Sequence, residues 1–189
     1  MAVALSTWLI PMKNKLSHKL CLIVLPLLLL ACSQEQDVNK ANGVSLDPVS
    51  FAEWDAMLGQ YRGSIVVADL WATWCKPCID RFPKMVELHQ RYGDRGVQFV
   101  SINFDDSQDG ESLQKAKAFL EDVQANFDNV YFNENLIDAF AHMEVIALPV
   151  VVIYNQDGEE AMRLTNTDPR HQFTEADIEA AIDQLLAAN

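Results

Sequence analysis

A chain of 189 residues, 50% of them hydrophobic, is long enough for one globular domain with a core and short for two. It carries 14 Lys and Arg against 27 Asp and Glu, which gives a formal net charge of −13 at pH 7. Residues 1–31 contain three lysines and no acidic residue, so the remainder has 11 basic and 27 acidic side chains, or −16. A surface this acidic repels phosphate backbones and argues against nucleic acid as a partner.

The N-terminal segment has the features of an export signal. Lysines between positions 13 and 19 precede an apolar run over residues 20–31, which is shorter than the about 20 residues of a membrane span. Because a signal that begins at Met12 has ordinary proportions, translation is expected to start there.

The run ends in LLAC, residues 29–32, which resembles the lipobox of bacterial lipoproteins. This resemblance implies that residues 1–31 are a removed signal peptide and that Cys32 is lipidated. An ordinary cleaved signal or an uncleaved anchor with an incidental cysteine is the alternative. Residues 32–49 are polar and lack aromatic side chains, so they are predicted to be a flexible tether for a domain over residues 50–189.

Hydrophobic periodicity in this domain predicts alternating strands and helices. The first helix is predicted over residues 51–60, because Ser50 and Glu53 have the spacing of a capping box. The later predicted elements are strands over 64–70, 96–104, 129–132, 148–154 and 161–164, and helices from 75 to 92, over 111–127, over 135–143 and after 174. This order indicates an α/β domain in which helices flank a central mixed sheet.

The sequence WATWCKPC, residues 71–78, carries the strongest chemical pattern. Cys75 is predicted to lie at the start of a helix, where free backbone N–H groups and the helix dipole favour a thiolate. Cys78 follows one turn later, within reach of a mixed disulfide on Cys75. A zinc site lacks its other ligands, since three histidines at 89, 142 and 171 have no ligand spacing. A structural bridge would close only a very small loop, so redox exchange is the better interpretation.

These residues resemble the thioredoxin superfamily. The features that carry this resemblance are WATWCKPC after an apolar strand, Pro83, and the proline at the start of LPVVVIY. Within the superfamily, the WATWCxPC pattern, the export signal, the helix insertion and the NQDG hairpin are similar to the TlpA/ResA-like branch of tethered extracytoplasmic thiol-disulfide oxidoreductases. The resemblance implies a thioredoxin fold with a TlpA-like helix and strand insertion. It also implies that Cys75 is the nucleophile and that Cys78 is the resolving thiol.

The same resemblance implies a protein-disulfide reductase that acts outside the cytoplasm and is recharged by a membrane thiol-disulfide electron donor. The expected protein is a monomer, anchored through a lipid on Cys32 to a bacterial membrane and facing the periplasm. It needs no cofactor or metal beyond the Cys75–Cys78 disulfide. A disulfide oxidase and a copper chaperone of thioredoxin fold remain alternatives, although such chaperones show CxxxC with a distant histidine.

Further site residues are expected around the two cysteines. The resemblance implies that Pro149 is the cis proline of the family and that it lies, with Leu148, at a strand edge that can pair with a substrate chain. A trans proline at the first residue of a strand is the alternative. Trp74 is predicted to belong to the substrate-facing surface, together with Lys76 and Pro77 of the CxxC.

Two charged residues near the CxxC lead to separate predictions. Asp69 lies within an apolar strand, where burial raises a carboxyl pKa and suits it to act as a general acid or base. Its position six residues before Cys75 resembles that of the buried acid of thioredoxins, which implies that it assists Cys78. A strand-end aspartate that reaches water is its alternative. Arg81 occupies the position at which many ResA-like proteins have a glutamate. It is predicted to be a solvated helix residue, and stabilisation of a thiolate is its alternative role.

Two neighbouring features are given non-catalytic interpretations. Trp71 is predicted to pack in the core with its indole N–H satisfied. The acidic stretch that contains Asp105, Asp106 and Asp109 lacks the spacing of a calcium loop and is predicted to be a solvated turn.

Overall fold

The computed structural model describes residues 43–168, 170 and 172–188. The predicted signal peptide, the Cys32 lipidation site, residues 32–42 of the predicted tether and His171 therefore lie outside the described residues. The described secondary structure, in chain order, is β1 Asp47–Val49, α1 Phe51–Gln60, β2 Ile65–Trp71, α2 Lys76–Tyr92, a 3-10 turn Gly93–Arg95, β3 Val97–Asn103, α3 Gly110–Asp122, β4 Asp128–Phe132, α4 Leu136–His142, β5 Val150–Tyr154, β6 Glu160–Thr165 and α5 Glu175–Ala187.

The strands form one mixed six-stranded sheet in the order β1-β4-β3-β2-β5-β6. The four strands from β1 to β2 in this order are parallel, whereas β5 is antiparallel to both β2 and β6. The carboxyl ends of β2, β3 and β4 therefore meet at the sheet edge where β5 begins. The loops at this edge carry the site described below.

Strand β2 is the centre of the fold, and every one of its residues is buried. Ile65 and Val67 pack in an apolar cluster with residues of α2 and α5, while Val66 and Leu70 pack in a second cluster that includes Trp54 of α1. Successive residues of a strand point to opposite faces, so helices cover the sheet on both sides. This architecture confirms the predicted α/β thioredoxin fold.

The helix starts follow from local side chains. Ser50 and Glu53 form the predicted capping box of α1, and Thr174 and Asp177 form another at α5. Helix α3 ends before the predicted position 127, because the backbone of Gln124 turns into the left-handed region at φ 56°.

The predicted boundary between tether and domain at residue 49 is corrected by β1. Asp47 pairs with Val130 and Val49 with Phe132, so residues 47–49 extend the sheet as a parallel edge strand. The polar composition that indicated a tether also suits an edge strand, which has water on one side.

Within the described part of the chain, no helix has the length and apolar character needed to cross a membrane.

Candidate active site

The two cysteines lie where β2 passes into α2. Cys75 is the N-cap residue of α2, and its Sγ is bonded to Sγ of Cys78 at 2.02 Å. The N–H of Cys75 donates to the carbonyl of Ala72 at 3.0 Å, and the Cys75 carbonyl accepts from the N–H of Cys78 and of Ile79 at 3.0 and 3.1 Å. Cys75 retains 4% of its surface exposed, whereas Cys78 is fully buried. The outer cysteine is thus the one at the helix start.

The cis-proline loop reaches the same edge of the sheet. The Leu148–Pro149 peptide bond is cis, as predicted. Val150, the next residue, pairs with Leu70 near the end of β2, which places Pro149 beside the turn that leads to Cys75. Leu148 packs against the apolar cluster that contains both cysteines. The structure therefore brings the CxxC and the loop before β5 together.

Exposed side chains surround this edge. Trp74 is 58% exposed, Pro77 is exposed, and the exposed Lys76 forms an ion pair with Asp80 of the next turn at 2.8 Å. Ile146, three residues before Pro149, is 89% exposed, and no role was predicted for it. Its position within EVIALP, close to the proline that precedes a strand, could have indicated that it belongs to the surface around the cis-proline loop.

Asp69 is buried in β2, as predicted, and its partner is Arg81. Nη2 of Arg81 donates to Oδ1 of Asp69, and the two residues are only 9% and 2% exposed. Burial raises the pKa of Asp69 to about 6, although the positive charge and hydrogen bond of Arg81 oppose that rise. The predicted solvated role of Arg81 is wrong, because α2 packs against β2 and the guanidinium lies 4.8 Å from the ring centre of Phe173.

This ion pair leaves several polar atoms without a partner. Among the described residues, Oδ2 of Asp69 and Nε and Nη1 of Arg81 make no hydrogen bond. Arg81 follows Cys78 by three positions, so both lie on the face of α2 that meets the sheet. A carboxylate with a free lone pair is therefore held against the helix face that carries the buried cysteine.

The acidic loop after β3 differs from its prediction at one residue. Asp106 and Asp109 are exposed, and Asp109 caps α3. Asp105 is instead 4% exposed, and its carboxylate accepts hydrogen bonds from Thr73 and Asn103. The prediction of a solvated turn is wrong for Asp105, since the parallel strands β2 and β3 end side by side and bring Thr73 within its reach.

Trp71 packs as predicted but its indole N–H does not bond as predicted. The ring meets Phe82 at 5.0 Å and Phe119 at 5.3 Å between centroids. Its Nε1 is buried without a hydrogen-bond partner among the described residues.

Neither histidine of the described residues belongs to a group of side chains that could hold a metal ion. His89 is near the end of α2, and His142 closes α4 with its ring stacked on Phe51 at 4.1 Å. In residues 43–168, 170 and 172–188, no group of three or more His, Cys, Asp or Glu is placed to hold a metal ion.

A cystine at a helix start, opposite a cis proline on a thioredoxin-type sheet, defines the class of thiol-disulfide oxidoreductases. The chain belongs to the AhpC/TSA family, whose model matches residues 40–159. Over 129 residues it is 30% identical to thiol-disulfide oxidoreductase ResA of Geobacillus kaustophilus, a match that covers 68% of this chain and 67% of the relative.

Two further comparisons agree. ResA of Bacillus subtilis is 29% identical over 58% of both chains, so this chain spans about three fifths to two thirds of these relatives. A solved DsbE-type thiol:disulfide interchange protein from Chlorobium tepidum is 30% identical with a TM-score of 0.54, covering 69% of this chain and 84% of its own. The chain is thus similar in sequence to ResA proteins and in structure to a DsbE-type protein.

Proposed function

We propose that this oxidoreductase reduces disulfides of extracytoplasmic proteins, with Cys75 as nucleophile and Cys78 as resolving thiol. The observation that carries the proposal is the asymmetry of the pair. Cys75 lies at the N-terminal end of α2 with some exposure, and Cys78 is completely buried one turn later. Only Cys75 can meet a substrate sulfur, and its position favours the thiolate.

The first step is an exchange at Cys75 of the reduced protein. Its thiolate attacks one sulfur of the substrate disulfide, so that a Cys75–substrate bond forms and the substrate bond breaks. The leaving sulfur departs with the electron pair and takes a proton from water. The product is a mixed disulfide on Cys75 and one free substrate thiol.

The second step uses the buried residues. Cys78 gives its proton to the carboxylate of Asp69, and its sulfur then attacks Sγ of Cys75 and releases the second substrate thiolate. A pKa of about 6 for Asp69 suits this role, because the group is ionised at neutral pH and still basic enough to accept a proton. Arg81 is the counter-charge that keeps the buried carboxylate ionised. Two electrons have then passed from the dithiol to the substrate.

Substrate binding is assigned to the residues around Cys75. Trp74, Lys76 and Pro77 offer an exposed surface beside the sulfur, and Leu148 and Pro149 bound it on the side of β5. A substrate segment that lies across them in extended form is held by backbone and apolar contacts, whatever its sequence. Protein disulfides are therefore the proposed substrates. The enzyme is proposed to bind them as a monomer.

The oxidised protein must regain two electrons to act again. We assign this to a membrane thiol-disulfide electron donor, so that the Cys75–Cys78 pair is the only redox group and no bound cofactor is required. Lipid on Cys32 and the polar segment that follows it would hold the domain at the periplasmic side of a bacterial membrane. Disulfides persist in that compartment, which gives a reductase its substrates.

The test is a reduction assay with the full-length protein, pre-reduced with a dithiol and freed of reductant. With insulin as the substrate, each molecule of reduced enzyme should reduce one substrate disulfide and should itself form one Cys75–Cys78 disulfide. Cys75→Ser should abolish the reaction. If the reduced wild-type protein leaves both insulin and small disulfides intact, the proposed function is wrong.

A further inference from the structure

We propose that Asp105 is a positioning residue for Cys75, acting through the turn that precedes α2. The inference rests on the proposed thiol-disulfide exchange and extends it to a residue outside both the CxxC and the Asp69–Arg81 pair. Asp105 lies in the loop after β3, 32 positions beyond Thr73 of that turn, and is buried. A buried carboxylate is expensive unless neighbouring groups satisfy it, so its contacts define its role.

Every side-chain contact described for Asp105 is a donor that points at its oxygens. Oγ1 of Thr73 donates to Oδ1 at 2.7 Å, the N–H of Thr73 donates to Oδ2 at 3.0 Å, and Nδ2 of Asn103 donates to Oδ2 at 2.8 Å. The orientation of the Asn103 amide is fixed, because its Oδ1 accepts the backbone N–H of Asp105 at 3.1 Å.

This donor set suits a carboxylate best. A carboxylate accepts all of these hydrogen bonds with its two oxygens, whereas an asparagine at position 105 has one acceptor oxygen and would turn its NH₂ group toward Thr73 or toward Asn103. The Thr73 hydroxyl would then have to accept instead of donate, or the NH₂ groups of two asparagines would face each other. The site therefore favours aspartate over its nearest isostere.

The turn held by Asp105 runs from Ala72 to Cys75. Its own closing bond joins the Cys75 N–H to the Ala72 carbonyl at 3.0 Å, and Thr73 is its second residue. The N–H of Phe104, the neighbour of Asp105, donates to the carbonyl of Trp71 at 2.7 Å. The loop after β3 thus forms hydrogen bonds with Trp71, immediately before the turn, and with Thr73, inside the turn.

The hydrogen bonds between the loop after β3 and the turn matter most after the Cys75–Cys78 disulfide is reduced. Cys75 is the N-cap residue of α2 but its side chain makes no capping hydrogen bond, so the helix itself does not hold the sulfur in place. In the oxidised protein the bond to Cys78 provides that restraint. In the dithiol the restraint is gone, and the turn keeps the Cys75 sulfur over the free N–H groups of the helix start, where its thiolate is stabilised.

Thr73→Val is the informative variant, because it removes the Oγ1 donor and changes neither charge nor shape. In the full-length protein we expect the second-order rate constant for a protein disulfide to fall about three- to tenfold. The pH midpoint for formation of the Cys75 thiolate, followed by absorbance at 240 nm, should rise, and the reduction potential should become more negative. Thr73→Ser keeps the donor and should restore all three values.

Ser107→Ala is the matched control. It removes another hydrogen bond of the same loop, from Oγ of Ser107 to the carbonyl of Glu134 at 2.9 Å, without touching the turn. Its rate, thiolate midpoint and potential should equal those of the wild type. Asp105→Asn is a second variant that alters the contact between Asp105 and Thr73, and it should slow the exchange as Thr73→Val does.

The outcomes separate positioning from stability. A lower melting temperature with wild-type rate and thiolate midpoint in both Thr73→Val and Asp105→Asn would mean that the contact is only structural, and the inference would fail. If Thr73→Val does not fold, the same readouts on Asp105→Asn decide. Absence of exchange in the wild-type protein would instead overturn the proposed function.

Discussion

Arg81 of α2 and Asp69 of β2 form an ion pair buried between helix and sheet. Desolvation favours the neutral form of the acid, while the guanidinium favours its charged form, and the pKa of Asp69 settles at about 6. The pair therefore supplies a base that is mostly charged at neutral pH, in an environment where burial alone would raise its pKa further. Arg81 lowers the pKa of Asp69 and thereby the pH above which the carboxylate can accept a proton.

Arg81→Met should move the pH dependence of the resolving step. Without the cation the pKa of Asp69 rises further above its usual value, so release of substrate from the Cys75 mixed disulfide should require a higher pH. We expect the wild-type rate to rise through about pH 6, and the variant's inflection to lie about one unit or more higher. Single-turnover release from a preformed mixed disulfide measures this step alone.

Arg81→Lys is the control for charge, and it should keep the inflection closer to the wild-type position. Asp69→Asn should remove the inflection near pH 6 and leave a slow rate that rises only at higher pH, as the Cys78 thiol loses its proton to solvent. An unchanged inflection in Arg81→Met would show that the cation has no influence on proton transfer in this step.

Asp69 should also make the folded state less stable as the solution becomes less acidic. Its folded pKa, about 6, exceeds the usual 3.8, so the folded state binds more protons between these values. The stabilising contribution is complete below about pH 4 and is lost as the pH rises through 6, a change of about 3 kcal/mol in the free energy of unfolding.

The measurement is denaturant unfolding of the oxidised protein from pH 3.5 to 7.5, compared with Asp69→Asn. The exposed carboxyls of Glu53, Asp109 and Asp177 have lowered pKa values and act in the opposite direction, and they are common to both proteins. The difference between the two curves should therefore slope only between about pH 4 and 6. Parallel curves would contradict the raised pKa of Asp69.

The ion pair shows how far sequence reasoning reaches. An aspartate within SIVVADL is visibly out of place, and its burial is confirmed. Its partner was missed, because an arginine on a helix is usually solvated and because twelve residues separate the pair. A signal was available, since Arg81 lies three residues after Cys78 and four before Met85, inside the buried stripe of α2.

Asp105 was missed for a different reason. Its neighbours Asp106 and Asp109 are solvated, and composition treats the three acids alike. What distinguishes Asp105 is register: Trp71 pairs with Asn103, so the residues just beyond each strand end face one another. Strand order and register depend on packing over the whole sheet, and local pattern alone did not specify them.

Cys78→Ser should convert the protein into a trap. The substrate would remain bound to Cys75, because the buried thiol that resolves the mixed disulfide is absent. Purification of the full-length variant from the periplasmic and membrane fractions should yield disulfide-linked partners that a reductant releases. The double variant Cys75→Ser/Cys78→Ser is the control and should yield none, whereas equal yields from both would contradict the assignment of roles.

Cys32→Ala tests the anchor. The proposed lipid on Cys32 should place the wild-type protein in the membrane fraction, released by detergent and not by salt. The variant cannot be lipidated there and should lose the lipid mass on its N-terminal peptide. Cys21→Ala, which alters a cysteine inside the apolar run, should keep both the lipid and the fractionation. An unmodified residue 32 in the wild-type protein would refute the anchor.

Trp74→Ala tests whether the surface beside Cys75 binds protein substrates. Trp74 is 58% exposed next to a cysteine that is almost buried, so a large substrate must cover it while a small disulfide can bypass it. We expect KM for a protein disulfide to rise about three- to tenfold, as for loss of an aromatic interface side chain. The rate with a small disulfide such as oxidised glutathione should stay near the wild-type value.

Trp74→Phe, which keeps an aromatic face, should recover most of the affinity. If both substrates slow equally in Trp74→Ala, the indole acts on Cys75 itself and not on substrate binding.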